Sequence, residues 1–153
     1  MLENRSIPRC TIIPELVYED VSEAIDWLCD KFGFRLRWRA GDHRAQLMYN
    51  DGAIVLTEQR IGQGWSDQAD AAALRIPRKG EVVSSVMVRV EDAQGHYERA
   101  RERGAQILHP PTDYPYGERQ YSAADLAGHR WNFTQSIADV APEEWGGTSV
   151  DLG

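Results

Sequence analysis

"LVYEDVSEAIDWLCDKFGF", residues 16–34, passes from an apolar, β-branched run into a helix and out again. Asp20, with Glu23 three residues on, makes a capping-box pattern, and apolar residues follow at helical spacing at Ala24, Trp27, Leu28 and Phe32. Gly33 closes the helix, because glycine accepts the left-handed backbone of a helix end without a side-chain clash. The opening then recurs. Val88-Arg89-Val90-Glu91-Asp92 stands over Leu16-Val17-Tyr18-Glu19-Asp20 at a shift of 72 residues, and Asp92 caps a second helical stretch that runs to Arg103 and stops at Gly104. A period this long exceeds a solenoid repeat and predicts a duplicated unit.

Working outward from these helices, the spacing predicts matching strands. Thr11–Tyr18 is a strand with Pro14 inside it, which suggests an edge or a bulge. Phe34–Arg39, Arg44–Tyr49 and Ala53–Glu58 follow, the last two joined by the turn signal Asn50-Asp51-Gly52. In the second half, Ser84–Val90 precedes the helix and Gln106–His109 follows it. A proline-rich loop "HPPTDYPYG" comes next, then a hairpin of Glu118–Ala124 with His129–Gln135 around Asp125-Leu126-Ala127-Gly128. Each half reads strand, helix, three strands. The expected class is α+β: two βαβββ modules, about residues 11–58 and 84–135, forming curved mixed sheets around a central cleft with helices outside. Residues 1–153 read as a single domain, with a linker 59–83 and a C-terminal arm 136–153.

Composition narrows the function classes. With 17 Lys+Arg against 24 Asp+Glu the formal net charge is −7, which disfavours a phosphate-binding surface, so no nucleic-acid partner is expected. Cys10 and Cys29 form no metal-binding doublet and read as free thiols. No stretch reaches the roughly 18 apolar residues of a membrane span, so the chain is expected to be cytoplasmic, away from membranes. His43, His96 and His109 lack partners at zinc-ligand spacing, and there is neither a Gly-x-Ser-x-Gly elbow nor a glycine-rich phosphate loop.

The doubled unit, with "VEDAQGHYERARERGAQIL" leading to "YGERQYSAADLAGHRWNF", resembles the vicinal oxygen chelate superfamily over roughly Thr11 to Ser136. That group includes glyoxalase I, extradiol dioxygenases, fosfomycin-resistance proteins and bleomycin-binding resistance proteins. Leu126 stands where the family turn usually carries proline. The resemblance implies metal-ligand positions at Ile13, Ser85, Leu56 and Asn132, which together offer at most two poor donors. It therefore implies no metal and no cofactor, with Glu58 the one carboxylate within a slipped register of Leu56.

If Ile13 and Ser85 face the cleft, strand alternation brings Glu15 and Val17, and Met87 and Arg89, to the same side. Glu15 and Arg89 then either contact a ligand or form a structural ion pair. The same parity turns Arg130, Asn132 and Thr134 toward the cleft, and Trp131 and Phe133 toward the helix layer; His129 reads as a strand-edge residue. Trp65, in the long connection, is either a pocket-wall aromatic or an interface residue.

The hairpin reads as a pocket wall, with Arg119, Tyr121 and Asn132 as contacts and Asp125 and Arg130 mainly structural. The expected function is metal-independent binding of a polar or aromatic small molecule by a homodimer of the bleomycin-resistance type. The candidate ligand-binding set is Glu15, Glu58, Trp65, Met87, Arg89, Arg119, Tyr121 and Asn132. Two rivals stand beside it. One is a glyoxalase-like or dioxygenase-like lyase, isomerase or oxidoreductase acting on a small metabolite, either with a cation held by unusual ligands or with Glu15 or Glu58 as general base, raised in pKa by an apolar cavity, and Arg89 or Arg119 steadying an anion. The other is a ligand-free interaction module whose cleft is packed shut by Trp65, Met87 and Tyr121.

Overall fold

The computed structural model describes residues 2–59, 75–151 and 153. The chain forms two compact units, Met1–Val83 with Leu126–His129, and Ser84–Asp125 with Arg130–Gly153.

In the first unit, β1 (Glu15–Tyr18) leads into α1 (Val21–Phe32), followed by β2 (Arg35–Ala40), β3 (Arg44–Tyr49) and β4 (Gly52–Glu58). The strands form an unclosed sheet in the order β1-β4-β3-β2, with β1 parallel to β4 and the other pairs antiparallel. The second unit repeats the plan with β5 (Ser85–Arg89), α2 (Ala93–Glu102), β6 (Gln106–Tyr114), β7 (Glu118–Ala124) and β8 (Arg130–Ser136). Its order, β5-β8-β7-β6, is the same topology. The α+β class with repeated βαβββ units is therefore present.

Both helices start where the repeat predicts. The Asp20 carboxylate accepts the Glu23 N–H at 3.0 Å and the Asp92 carboxylate accepts the Gly95 N–H at 3.0 Å, each supplying one of the partners that a helix N-terminus lacks. Gly33 ends α1 at φ 81. α1 buries Val21, Ala24, Ile25, Leu28 and Phe32, while α2 buries only Ala93 and Ala100. The second unit compensates with aromatic bulk, for Tyr121, Trp131 and Phe133 are all buried.

Two strand boundaries differ from expectation. β1 begins at Glu15, not Thr11; Pro14 has no N–H to give a ladder, although its carbonyl still accepts from Val55 N. β6 continues through Pro110 and Pro111 to Tyr114, where a loop was expected. It is the edge strand of its sheet, so the prolines need no outer partner, and register shifts at Ile107/His109 and His109/Thr112 absorb them. The C-terminal arm is anchored: the amides of Ile137 and Ala138 donate to the Gly117 carbonyl, and a short 3-10 helix, Pro142–Trp145, sets Trp145 edge-on to Tyr116. Trp65 lies outside the described residues. Among those residues no helix is long and apolar enough to cross a membrane.

Candidate functional site

Each sheet has a face toward its helix and an open face, and register decides which side chains lie on which. In the first unit Tyr49 packs against Gly33 and Phe34 at the end of α1, so its face is the helix side. Through the ladder pairs Leu47↔Ile54, Ala45↔Leu56 and Leu16↔Leu56, that side also carries Leu47, Ile54, Ala45, Leu56 and Leu16. The other face, called open because no helix of its unit covers it, carries Glu15, Val17, Arg44, Gln46, Val55 and Thr57, of which Val17, Gln46 and Val55 are nonetheless buried. In the second unit Tyr121 and Phe133 meet His96 of α2, which defines the helix side. Ser85, Met87, Arg89, Glu118, Gln120, Ser122, Arg130, Asn132 and Thr134 lie on the opposite face, where Glu118 accepts from the Thr134 and Ser136 hydroxyls.

Glu15, Met87, Arg89 and Asn132 thus lie on open faces. Met87 is 60% exposed and is the ladder partner of Asn132. Asn132 donates to Gln120 Oε1 at 3.3 Å, and Arg130 approaches Ser122 Oγ at 3.5 Å. Glu15 accepts from Arg44 of its own sheet at 2.7 Å, with its side chain half-exposed.

Three expected contacts are elsewhere. Tyr121 is buried beneath α2, its hydroxyl 2.5 Å from His96 Nδ1 and its ring stacked on Phe133. It is the ladder partner of Phe133, and partners share a face. Arg119 has the same parity as Tyr121 and forks onto Asp113 at 2.6 and 3.0 Å. Glu58 is the partner of Tyr18 on the helix side and lies 2.7 Å from His43 Nδ1. Glu15 and Glu58 are each engaged by a basic side chain and partly solvated.

The Arg119 guanidinium holds the Asp113 carboxyl below the usual carboxylate range. Since the folded value is depressed, the pair's small stabilisation is present above the unfolded carboxylate pKa and is lost as pH falls through the folded one. Arg119→Ala is expected to return Asp113 to the ordinary range in a carboxyl-carbon NMR titration while leaving ligand affinity unchanged. A loss of affinity in that variant would put Arg119 back among the ligand contacts.

The metal positions implied by the resemblance do not fit a cation. Ile13 and Leu56 have no donor atom in their side chains, Leu56 is fully buried on the helix side, and Ser85 and Asn132 offer only a hydroxyl and an amide oxygen. Among the described residues no three His, Cys, Asp or Glu side chains gather. His129, whose Nε2 lies 2.7 Å from the Val17 carbonyl, packs edge-on to Tyr18.

Arg37, Trp38 and Gln46 were not among the expected site residues. A bulge between Leu36 and Trp38 breaks the alternation of β2; Trp38 becomes the ladder partner of Gln46, and Arg37 reaches the Gln46 side chain.

The model of the Glyoxalase/Bleomycin resistance protein/Dioxygenase superfamily matches residues 7–133. Bleomycin resistance proteins of Geobacillus stearothermophilus and Staphylococcus aureus are each 29% identical to this chain over 130 residues, covering 82% of it and 96% of theirs. Among solved structures, TioX from Micromonospora sp. ML1 is 32% identical, with a TM-score of 0.64 over 82% of this chain and 98% of that one. A glyoxalase/bleomycin resistance protein/dioxygenase from Nocardioides, 22% identical with a TM-score of 0.66, covers 96% of this chain and 92% of its own, and shares the fold.

Proposed function

Because the chain belongs to the glyoxalase/bleomycin resistance protein/dioxygenase superfamily, we propose that it is a small-molecule-binding protein of the bleomycin-resistance type. It sequesters a polar or aromatic compound, an antibiotic such as bleomycin being the first candidate, and acts as a cytoplasmic homodimer. The observation that carries this reading is the composition of the second unit's open face. An exposed Met87 lies beside Asn132, Gln120, Ser122, Arg89 and Arg130, a surface that offers apolar contact and directional hydrogen bonds. Such a face can hold a ligand. The Glu118 carboxylate on this face is taken up by the Thr134 and Ser136 hydroxyls, and no cluster of metal-binding side chains gathers among the described residues.

Sequestration needs only affinity, so the test is a thermal shift on metal-stripped protein with bleomycin and a panel of aromatic and peptide antibiotics. Binding is expected to raise Tm by about 5 °C or more at roughly a hundredfold excess over Kd. Asn132→Ala and Arg89→Ala are each expected to weaken affinity about tenfold, the worth of one lost polar contact. No stabilisation by any compound, or stabilisation only after a divalent cation is restored, would overturn the reading.

A further inference from the structure

On the open face of the first unit, three hydrogen-bond donors lie close together with no acid among them. The bulge in β2 turns Arg37 and Trp38 to the side of Gln46. Arg37 Nη1 donates to Gln46 Oε1 at 2.5 Å, its Nη2 donates to the Arg5 carbonyl at 2.7 Å, and Trp38 Nε1 donates to the next carbonyl, Ser6, at 3.0 Å. Gln46 is fully buried, yet its Nε2 has no acceptor. The amide cannot be turned over to cure this, because the nitrogen would then face the Arg37 guanidinium, donor against donor. A buried N–H without a partner is costly and rare, and in a native protein it needs a reason. Of the three donor residues, Trp38 lines a cavity of about 570 Å³, together with Asn4, Arg5 and Ser6.

We propose that Arg37, Trp38 and Gln46 form a subsite for the carboxylate of a planar aromatic acid, and that the strap Asn4–Ser6 occupies it in the free protein. The two consecutive strap carbonyls take the places of the two carboxylate oxygens. They satisfy Arg37 and Trp38 but leave Gln46 Nε2 unbonded, whereas a carboxylate has lone pairs enough for all three donors. The strap is held on β2 by side-chain bonds to these two carbonyls, bonds comparable in size with the backbone entropy of ordering three residues, so a ligand can displace it. Pro8, buried just beyond the strap, keeps it tethered. The cavity that Trp38 lines has room for an aromatic body beyond the carboxylate, which acetate lacks.

This assignment rests on the small-molecule-binding reading and gives one face of the protein a ligand class. The test is a titration of the full-length protein with 2-naphthoate, followed by ¹⁵N NMR at Trp38 Nε1–H and the Gln46 side-chain amide, with methyl 2-naphthoate as the neutral control. The acid is expected to shift both signals and to speed amide exchange in the strap, while the ester does neither. Gln46→Glu keeps an acceptor for Arg37 but replaces the spare donor with a negative oxygen, and is expected to weaken 2-naphthoate binding about tenfold or more. Arg37→Gln serves as a second variant with the same expectation. Equal binding of acid and ester, or shifts that leave Trp38 and Gln46 unmoved, would overturn the subsite. If an antibiotic binds without moving these signals, the subsite fails and the sequestration reading stands; if 2-naphthoate moves them and no antibiotic binds, the reverse holds.

Discussion

Trp131→Ala is expected to lose about 4–5 kcal/mol of unfolding free energy, a large share of the roughly 5–15 kcal/mol that a folded domain possesses. The indole is fully buried in β8, stacked on Phe133 at 6.3 Å with the rings 10° apart, and its ladder neighbours are Ala123 and Val86. Those neighbours are too small to close the space an alanine would leave. The second loss is polar. Trp131 Nε1 donates to Asp125 Oδ2 at 3.0 Å, and Asp125 is itself only 6% exposed, so truncation removes a donor from a buried carboxylate. Trp131→Phe separates the two contributions: it keeps much of the volume but not the N–H, and is expected to cost about 2 kcal/mol. Urea denaturation of both variants, with Asp125→Ala to complete the cycle, measures each part. A loss below about 1.5 kcal/mol for Trp131→Ala would mean that the hairpin repacks and that the aromatic layer is not the second unit's core.

Much of this layer was legible in the sequence, and the reason is periodicity. Alternation in "RWNFT" correctly separated Trp131 and Phe133 from Arg130, Asn132 and Thr134, because β8 is a regular strand with a helix on one side. The helix starts at Asp20 and Asp92 were equally plain, since a cap is a local device. The helix-side place of Tyr121 was not read from the sequence although the signal existed: across the hairpin, Tyr121 is opposite Phe133, and a residue opposite a core aromatic belongs to the core. The run through Pro110-Pro111 was hidden for another reason. Proline forbids a central strand but not an edge, and edge position is set by the whole sheet. Arg37, Trp38 and Gln46 gave no signal at all, because "RLRWRA" alternates smoothly on paper and only the bulge brings consecutive side chains to one side.

The same parity argument decides where an acidic ligand could be introduced on the first sheet. The resemblance pointed to Leu56, but Leu56 is the partner of Leu16 and Ala45, fully buried on the face that α1 covers. Its neighbour Thr57 is the partner of Val17 and Arg44 on the open face and is partly solvated. Leu56→Glu is therefore expected to cost about 3–5 kcal/mol, since it removes a packed leucine and forces a carboxyl either to stay protonated or to lie uncompensated under the helix. Thr57→Glu is expected to cost less than about 1 kcal/mol, with the Arg44 guanidinium opposite the new charge. Paired denaturation curves separate the alternatives: equal, small losses would mean that α1 does not cover this face and that every facing assignment in the first unit is reversed. The expected inequality has a functional consequence. A carboxylate can be built into the open face only at positions of Thr57's parity, so a member of this fold that uses a metal there must draw its ligand from that set, and Leu56 belongs to the packing of the helix.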